Sequence, residues 1–216
     1  DTKKYESLIV HLVEVTDGVL KNNQNINLII DVDRRNALRV HHSATHLLHE
    51  SLRRNLGEHI SQKGSLVAPD KLRFDISHNK PISNSEIYII ETEINNKIRE
   101  NFEVDTLEMS IDEARKIGAL ALFGEKYEDE VRVIKMGKNN ESKNYSMELC
   151  GGTHVNRLGD IGLFKILSET ALGSGIRRIE AVAGQAALLE FQNENNIINE
   201  LSNELKISQE NLKERI

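Results

Sequence analysis

Two pairs of candidate metal ligands stand far apart in this sequence, and any fold it adopts must bring them to one point. His42 and His46 are four residues apart, in a stretch where Leu47, Leu48, Leu52 and Leu56 recur at helical spacings before Gly57 ends the pattern. That spacing projects both imidazoles from one helix face, about one turn apart. The only cysteine opens the run Cys150-Gly151-Gly152-Thr153-His154. Its Cys and His can reach one ion if the backbone turns sharply between them, which glycine permits through positive φ. Taken alone, the first pair reads more readily as exposed histidines or histidines at the edge of a core, and the second as a glycine turn after a strand. Together, three imidazoles and a thiolate form a tetrahedral set suited to one Zn2+. His41 lies about 100° around the helix from His42 and points elsewhere. His49 shares the face of His42 and His46, and is either an alternative ligand or a support behind the ligands.

The rest of the chain reads as α+β. Residues 7–15 and Ile26 to Val32 are rich in β-branched residues and predict strands, with Asp17-Gly18 as a turn. Residues 60–77 predict a hairpin about Pro69-Asp70. Ser83 to Glu86 is a capping box, and the helix it opens carries Ile87, Ile90, Ile94 and Ile98 on one stripe. A strand near 103–109 follows, then a second capping box from Ser110 to Glu113 and a short helix ending at Gly118. Further strands are expected at Glu130 to Met136, Tyr145 to Leu149, Gly162 to Leu167 and Ile176 to Val182. Beyond Gly184 the pattern is one helix, with Ile198, Leu201, Leu205 and Leu212 as a short coiled-coil-like seam that needs a partner segment. The expected organisation is a small, barrel-like β portion over 1–35, a zinc-containing core over 36–184 and a helical arm over 185–216.

Composition narrows the function classes. One cysteine excludes an intrachain disulfide and suits a thiolate in a reducing cytoplasm. No apolar run approaches the ~20 residues that span a bilayer, so no membrane partner is expected. The net charge of −6 argues against a generic nucleic-acid coat, while leaving room for a local basic patch. Arg34, Arg35 and Arg39 before the histidine helix, Arg53 and Arg54 near its end, and Arg177-Arg178 are the candidates. A zinc-protease helix needs Glu directly after its first His, and Ser43 stands there instead. There is no Walker-type phosphate loop. The chain begins at Asp1, so it is expected to be a segment of a longer protein.

Six blocks, HHSATHLLHE, QKGSLVAPDKLRFDISH, ALFGEKY, ELCGGTHV, GDIGLFKI and GIRRIEAVAG, occur in an order and spacing that resemble the editing region of alanyl-tRNA synthetases, from about Asp31 to Gly184. Threonyl-tRNA synthetase editing domains share the histidine pair and a Cys-x-x-x-His, and freestanding alanyl-tRNA editing proteins share the domain. The resemblance implies a cytoplasmic deacylase that hydrolyses Ser-tRNA(Ala) and Gly-tRNA(Ala), with one Zn2+ held by His42, His46, Cys150 and His154. It places Gln62 in the pocket for the amino-acid side chain and Arg177 in tRNA recognition. Thr45 is a second candidate for the serine hydroxyl, though back-bonding to its own helix competes for it. The implied partners are the acceptor end of tRNA(Ala) and the remainder of a synthetase chain. ATP and Mg2+ would serve only an aminoacylation domain absent from this sequence. The alternatives are a freestanding trans-editing deacylase, and a zinc-stabilised RNA-binding module without activity.

Overall fold

The computed structural model describes residues 2–5, 8–121, 128–138 and 143–215. Most of the block ALFGEKY, from Leu122 to Tyr127, and 139–142 of the polar loop GKNNESKN lie outside the described residues. The chain divides into two units, Asp1–Asp31 and Val32–Ile216. In the first, β1 (Thr2–Tyr5) pairs antiparallel with β2 (Leu8–His11). The strand expected at Ile26 to Val32 does not form: Ile26, Leu28, Ile29 and Ile30 are exposed and unpaired in any ladder, and Val32 instead opens a helix. β-branched composition supplies only a preference, whereas a strand needs a neighbour to bond.

The second unit is mixed α and β. Helix α1 (Val32–Leu56) is ten residues longer at its start than the apolar pattern predicts, so Arg34, Arg35 and Arg39 lie within it. The expected hairpin is β3 (Gln62–Val67) with β4 (Leu72–Ser77). Helix α2 (Asn84–Glu100) starts at the capping box: the Glu86 amide donates to Ser83 Oγ at 3.3 Å, and the Ser83 amide donates to the Glu86 carboxylate at 2.8 Å. Ile90, Ile94 and Ile98 on its predicted stripe are buried. After β5 (Val104–Ser110), the second capping box opens α3 (Ile111–Lys116). Strands β6 (Glu130–Lys138) and β7 (Asn144–Leu149) join β5 in an antiparallel sheet, order β5-β6-β7. Strands β8 (Phe164–Gly173) and β9 (Ile176–Ala183) complete the other, order β3-β4-β9-β8.

The main core lies where α1 and α2 meet the four-stranded sheet. Leu47, Leu48 and Leu52 of α1 pack with Leu72, Phe74 and Ile76 of β4 and Ile179 and Ala181 of β9, all with essentially no exposure. Burying each large apolar side chain here contributes about 1.5–3 kcal/mol. A satellite core joins α3 to β6 and β7 through Ala114, Val131, Val133 and Leu149. The histidine helix is thus fixed by the main core along the turns that carry its ligands.

The C-terminal segment departs from the single helix expected. Helix α4 (Gln185–Leu205) ends where Lys206 turns left-handed at φ 54°, with the Lys206 and Ile207 amides bonded to the Asn203 and Ser202 carbonyls. A 3-10 turn at Gln209–Asn211 and the short α5 (Leu212–Arg215) follow. Leu212 is therefore not continuous with Ile198, Leu201 and Leu205, which stay 41–46% exposed. Lysine is a poor left-handed residue, so sequence gave no stop signal here.

Candidate metal centre

Helix α1 and the segment after β7 deliver the two ligand pairs to one place. His42, His46, Cys150 and His154 each bring one ligand atom to within 4.8 Å of all the others. Cys150 Sγ lies 3.4 Å from His42 Nε2 and 3.4 Å from His154 Nε2. A tetrahedral ion with Zn–S of about 2.3 Å and Zn–N of about 2.0–2.1 Å has ligand-to-ligand edges of about 3.3–3.6 Å. His46 Nε2 is buried without a hydrogen-bond partner, while its Nδ1 is taken by Glu148 at 2.8 Å. A buried imidazole nitrogen left bare is costly unless something sits against it. The three-imidazole, one-thiolate set therefore fits a zinc ion in both spacing and donor chemistry.

The loop ligands are held by residues the sequence reading passed over. Ser43 Oγ accepts from the Val155 amide at 3.1 Å and lies 3.3 Å from His154 Nδ1, tying the His154 loop to α1. The Arg132 guanidinium donates to the carbonyls of Gly151 and Gly152 at 2.9 and 3.1 Å, and the Cys150 amide donates to the Arg132 carbonyl. The glycines serve differently from expectation, because neither Gly151 nor Gly152 adopts positive φ. A Cβ at Gly152 would instead come 2.1 Å from His42 Cε1, so this residue must be glycine to let the imidazole approach.

Charge follows from these contacts. Burial pushes the Cys150 thiol up, but hydrogen bonds with His154 and His42 and the charge of nearby His46 outweigh it and bring it down to about 3. Burial lowers His154 to about 4, despite the hydrogen bond to Cys150. Burial also works against an imidazolium at His46, yet Glu148 and Cys150 raise it to about 10. The Glu148 carboxyl is buried too, and His46 and His49 hold it well below the usual carboxylate range. A thiolate at Cys150, with positive charge favoured beside it at His46, is the electrostatic setting a cation needs.

The remaining expected residues fall elsewhere. His49 is not among the four; its Nδ1 contacts Glu148 at 3.0 Å and its ring packs edge-on against Phe74. His41 turns away as expected, accepting the Ala183 amide at its Nε2. Thr45 back-bonds to the His41 carbonyl at 2.8 Å. Gln62 opens β3, half-buried at a register shift, and forms no hydrogen bond with the four ligands. Arg177 and Arg178 face opposite ways, but both pair locally: Arg178 is bidentate to Asp75 at 2.8 and 2.9 Å, and Arg177 binds both oxygens of Glu169. Arg53 donates to the Glu58 and Ile60 carbonyls, and Arg54 pairs with Glu93. Four of the arginines expected in a basic patch are thus committed within the chain. Glu148 was missed, although strand alternation two residues before Cys150 puts a carboxylate on the cysteine's side.

Among the described residues, no helix is long and apolar enough to cross a membrane. Residues 131–180 match the family model described as the threonyl and alanyl tRNA synthetase second additional domain. The alanine–tRNA ligase of Paracoccus denitrificans is 53% identical over 212 residues, 95% of this chain and 24% of that protein. Those of Rickettsia felis and Cereibacter sphaeroides are 51% and 49% identical, over 98% and 100% of this chain. The chain spans about a quarter of the length of these relatives. With the ligand cluster, the order of motifs and identity near one half along its whole length, this chain is a segment of the alanyl-tRNA synthetase family that carries the second additional domain.

Proposed function

We propose that this segment is an editing deacylase that hydrolyses the ester of Ser-tRNA(Ala) and Gly-tRNA(Ala) at a zinc centre. The observation that carries the reading is the convergence of His42, His46, Cys150 and His154, with His46 Nε2 buried and bare. When bound, the ion supplies a positive centre that can orient the aminoacyl ester and polarise its carbonyl.

Selectivity is the task of the surrounding side chains. A synthetic pocket for alanine cannot exclude the smaller glycine, and a mostly apolar one rejects serine by only about 10²-fold. A second site that hydrogen-bonds the hydroxyl discriminates the other way, because alanine leaves its polar groups unpaired. Gln62 offers a donor and an acceptor for that hydroxyl. Thr45, whose hydrogen is given to the His41 carbonyl, can still accept. Arg177 contacts the acceptor end of the tRNA in this reading, exchanging Glu169 for the nucleic acid. The longer protein would attach alanine to tRNA(Ala) in a domain outside this chain.

A full set of four protein ligands is also the arrangement of a structural zinc, and it favours a second reading as a zinc-stabilised RNA-binding module without activity. Deacylation of Ser-tRNA(Ala), measured with and without a zinc chelator, separates the two. Hydrolysis that chelation removes and zinc restores supports the deacylase. A folded zinc-bound chain that binds tRNA and leaves the ester intact supports the module.

A further inference from the structure

Glu148 stands two residues before Cys150 on β7 and is buried. Its two oxygens are divided between two imidazoles of α1. Oε2 is 2.8 Å from His46 Nδ1, and Oε1 is 3.0 Å from His49 Nδ1, with the Ser146 hydroxyl a more distant donor to Oε1 at 3.4 Å. An ionised carboxylate only accepts hydrogen bonds, so each ring must bring its hydrogen on Nδ1. In the neutral ring that leaves Nε2 as a lone pair, and Nε2 of both His46 and His49 is buried without a protein partner. The two rings differ in what surrounds them. His46 belongs to the four-residue cluster, whereas His49 lies edge-on to Phe74.

We propose that Glu148 is a positioning residue of the metal centre: it fixes His46 in the Nδ1–H form, so that Nε2 is the ligating atom, while His49 holds its other oxygen. The proposal rests on the metal reading given above and adds to it a selector of tautomer and ring orientation. His49 has a definite part in it. By occupying Oε1, it keeps the carboxylate from rotating toward the cluster and becoming a ligand itself. The α1 ligand is thereby tied to the strand that delivers Cys150, so both sides of the centre share one buried anchor. A residue serving only the fold would affect melting temperature, with no special hold on the metal.

The test measures zinc affinity of the full chain by chelator competition, for wild type and for the Glu148→Ala, His49→Ala and Cys150→Ser variants. It adds nitrogen-15 spectra of the histidine rings in the zinc-loaded wild type. Wild type should hold one zinc, and Cys150→Ser should hold it far more weakly. Glu148→Ala should lose about 10–100-fold in affinity, and His49→Ala much less. The spectra should give His46 a protonated Nδ1 and a metal-bound Nε2. Undiminished affinity in Glu148→Ala, an equal loss in His49→Ala, or a His46 Nδ1 without its proton would overturn the proposal while leaving the zinc reading in place. The ring spectra decide the matter even if Glu148→Ala fails to fold. A wild type without stoichiometric zinc would remove both.

Discussion

The two sides of the ligand cluster are built on opposite principles. His42 and His46 ride on a helix whose neighbouring turns, at Leu47, Leu48 and Leu52, are buried in the main core. Cys150 and His154 lie in a segment with no regular structure, held by a hydrogen bond to Ser43 and by others from Arg132. The helix side is preset by backbone geometry and apolar packing. The loop side depends on a few polar anchors and one missing side chain. Damage should therefore pass to the centre more readily through the loop, by substitutions that touch no ligand.

The largest effect tests the cluster itself. Cys150→Ala removes the only thiolate, so zinc should be held weakly and deacylation should fall to background, with a smaller change in tRNA affinity. Tight stoichiometric zinc with unchanged turnover in that variant would sink the assignment. Next comes Gly152→Ala, which forces His42 or the loop to move because the new Cβ would meet the imidazole at 2.1 Å. Overpacking of this kind costs about 1–3 kcal/mol, which should weaken zinc about 10–100-fold by chelator competition. An alanine there with wild-type affinity would show the loop to be freer than its contacts indicate.

Ser43→Ala sharpens the comparison from the helix side. It strips the Val155 amide of its acceptor and frees His154 Nδ1, and a buried donor left unmade costs about 1–3 kcal/mol. The melting temperature should fall, and zinc should exchange faster. Loss of stability without any change in zinc exchange would mean that Ser43 anchors the fold alone.

How far the sequence foretold these features depends on how local each one is. The helical spacing of His42 and His46, both capping boxes and the β3–β4 hairpin were legible, because spacing of a few residues determines each, whereas the meeting of that pair with Cys150 and His154 was implied by the resemblance. The strand expected at Ile26 to Val32 failed because pairing is not a local property. The break at Lys206 failed because nothing in its chemistry marks a left-handed turn. At Gly152 the expected role, permitting a sharp turn through positive φ, is not the one found: the constraint is the approach of His42, a residue far away in the chain. Glu148, Ser43 and Arg132 became visible only once β7 and α1 were side by side.

Smaller and more selective effects are expected on the four-stranded sheet. Arg177→Lys keeps the charge and loses the planar fork. If Arg177 reads the acceptor stem, deacylation of cognate tRNA(Ala) should slow far more than that of a stem variant, at matched salt. Equal rates for wild type and Arg177→Lys on both tRNAs would end that role, and a uniform loss would limit it to phosphate contact. The mildest effect concerns Asp75, whose carboxyl the Arg178 hydrogen bonds hold below its ordinary value of 3.8. Because the folded value is the lower one, this contribution is fully present above the unfolded value and is lost as pH falls through the folded one. Acid melts of Asp75→Asn should show a shallower loss of stability below about pH 4 than wild type. Parallel acid profiles would assign the pair no part in acid stability.

The most direct measurement of the central claim is X-ray absorption at the zinc edge on the metal-loaded chain. One zinc per chain is expected, with one sulfur at about 2.3 Å and three imidazole nitrogens at about 2.0–2.1 Å. The sulfur should disappear in Cys150→Ala. A zinc shell of oxygen and nitrogen without sulfur in the wild type, or no stoichiometric zinc at all, would contradict it.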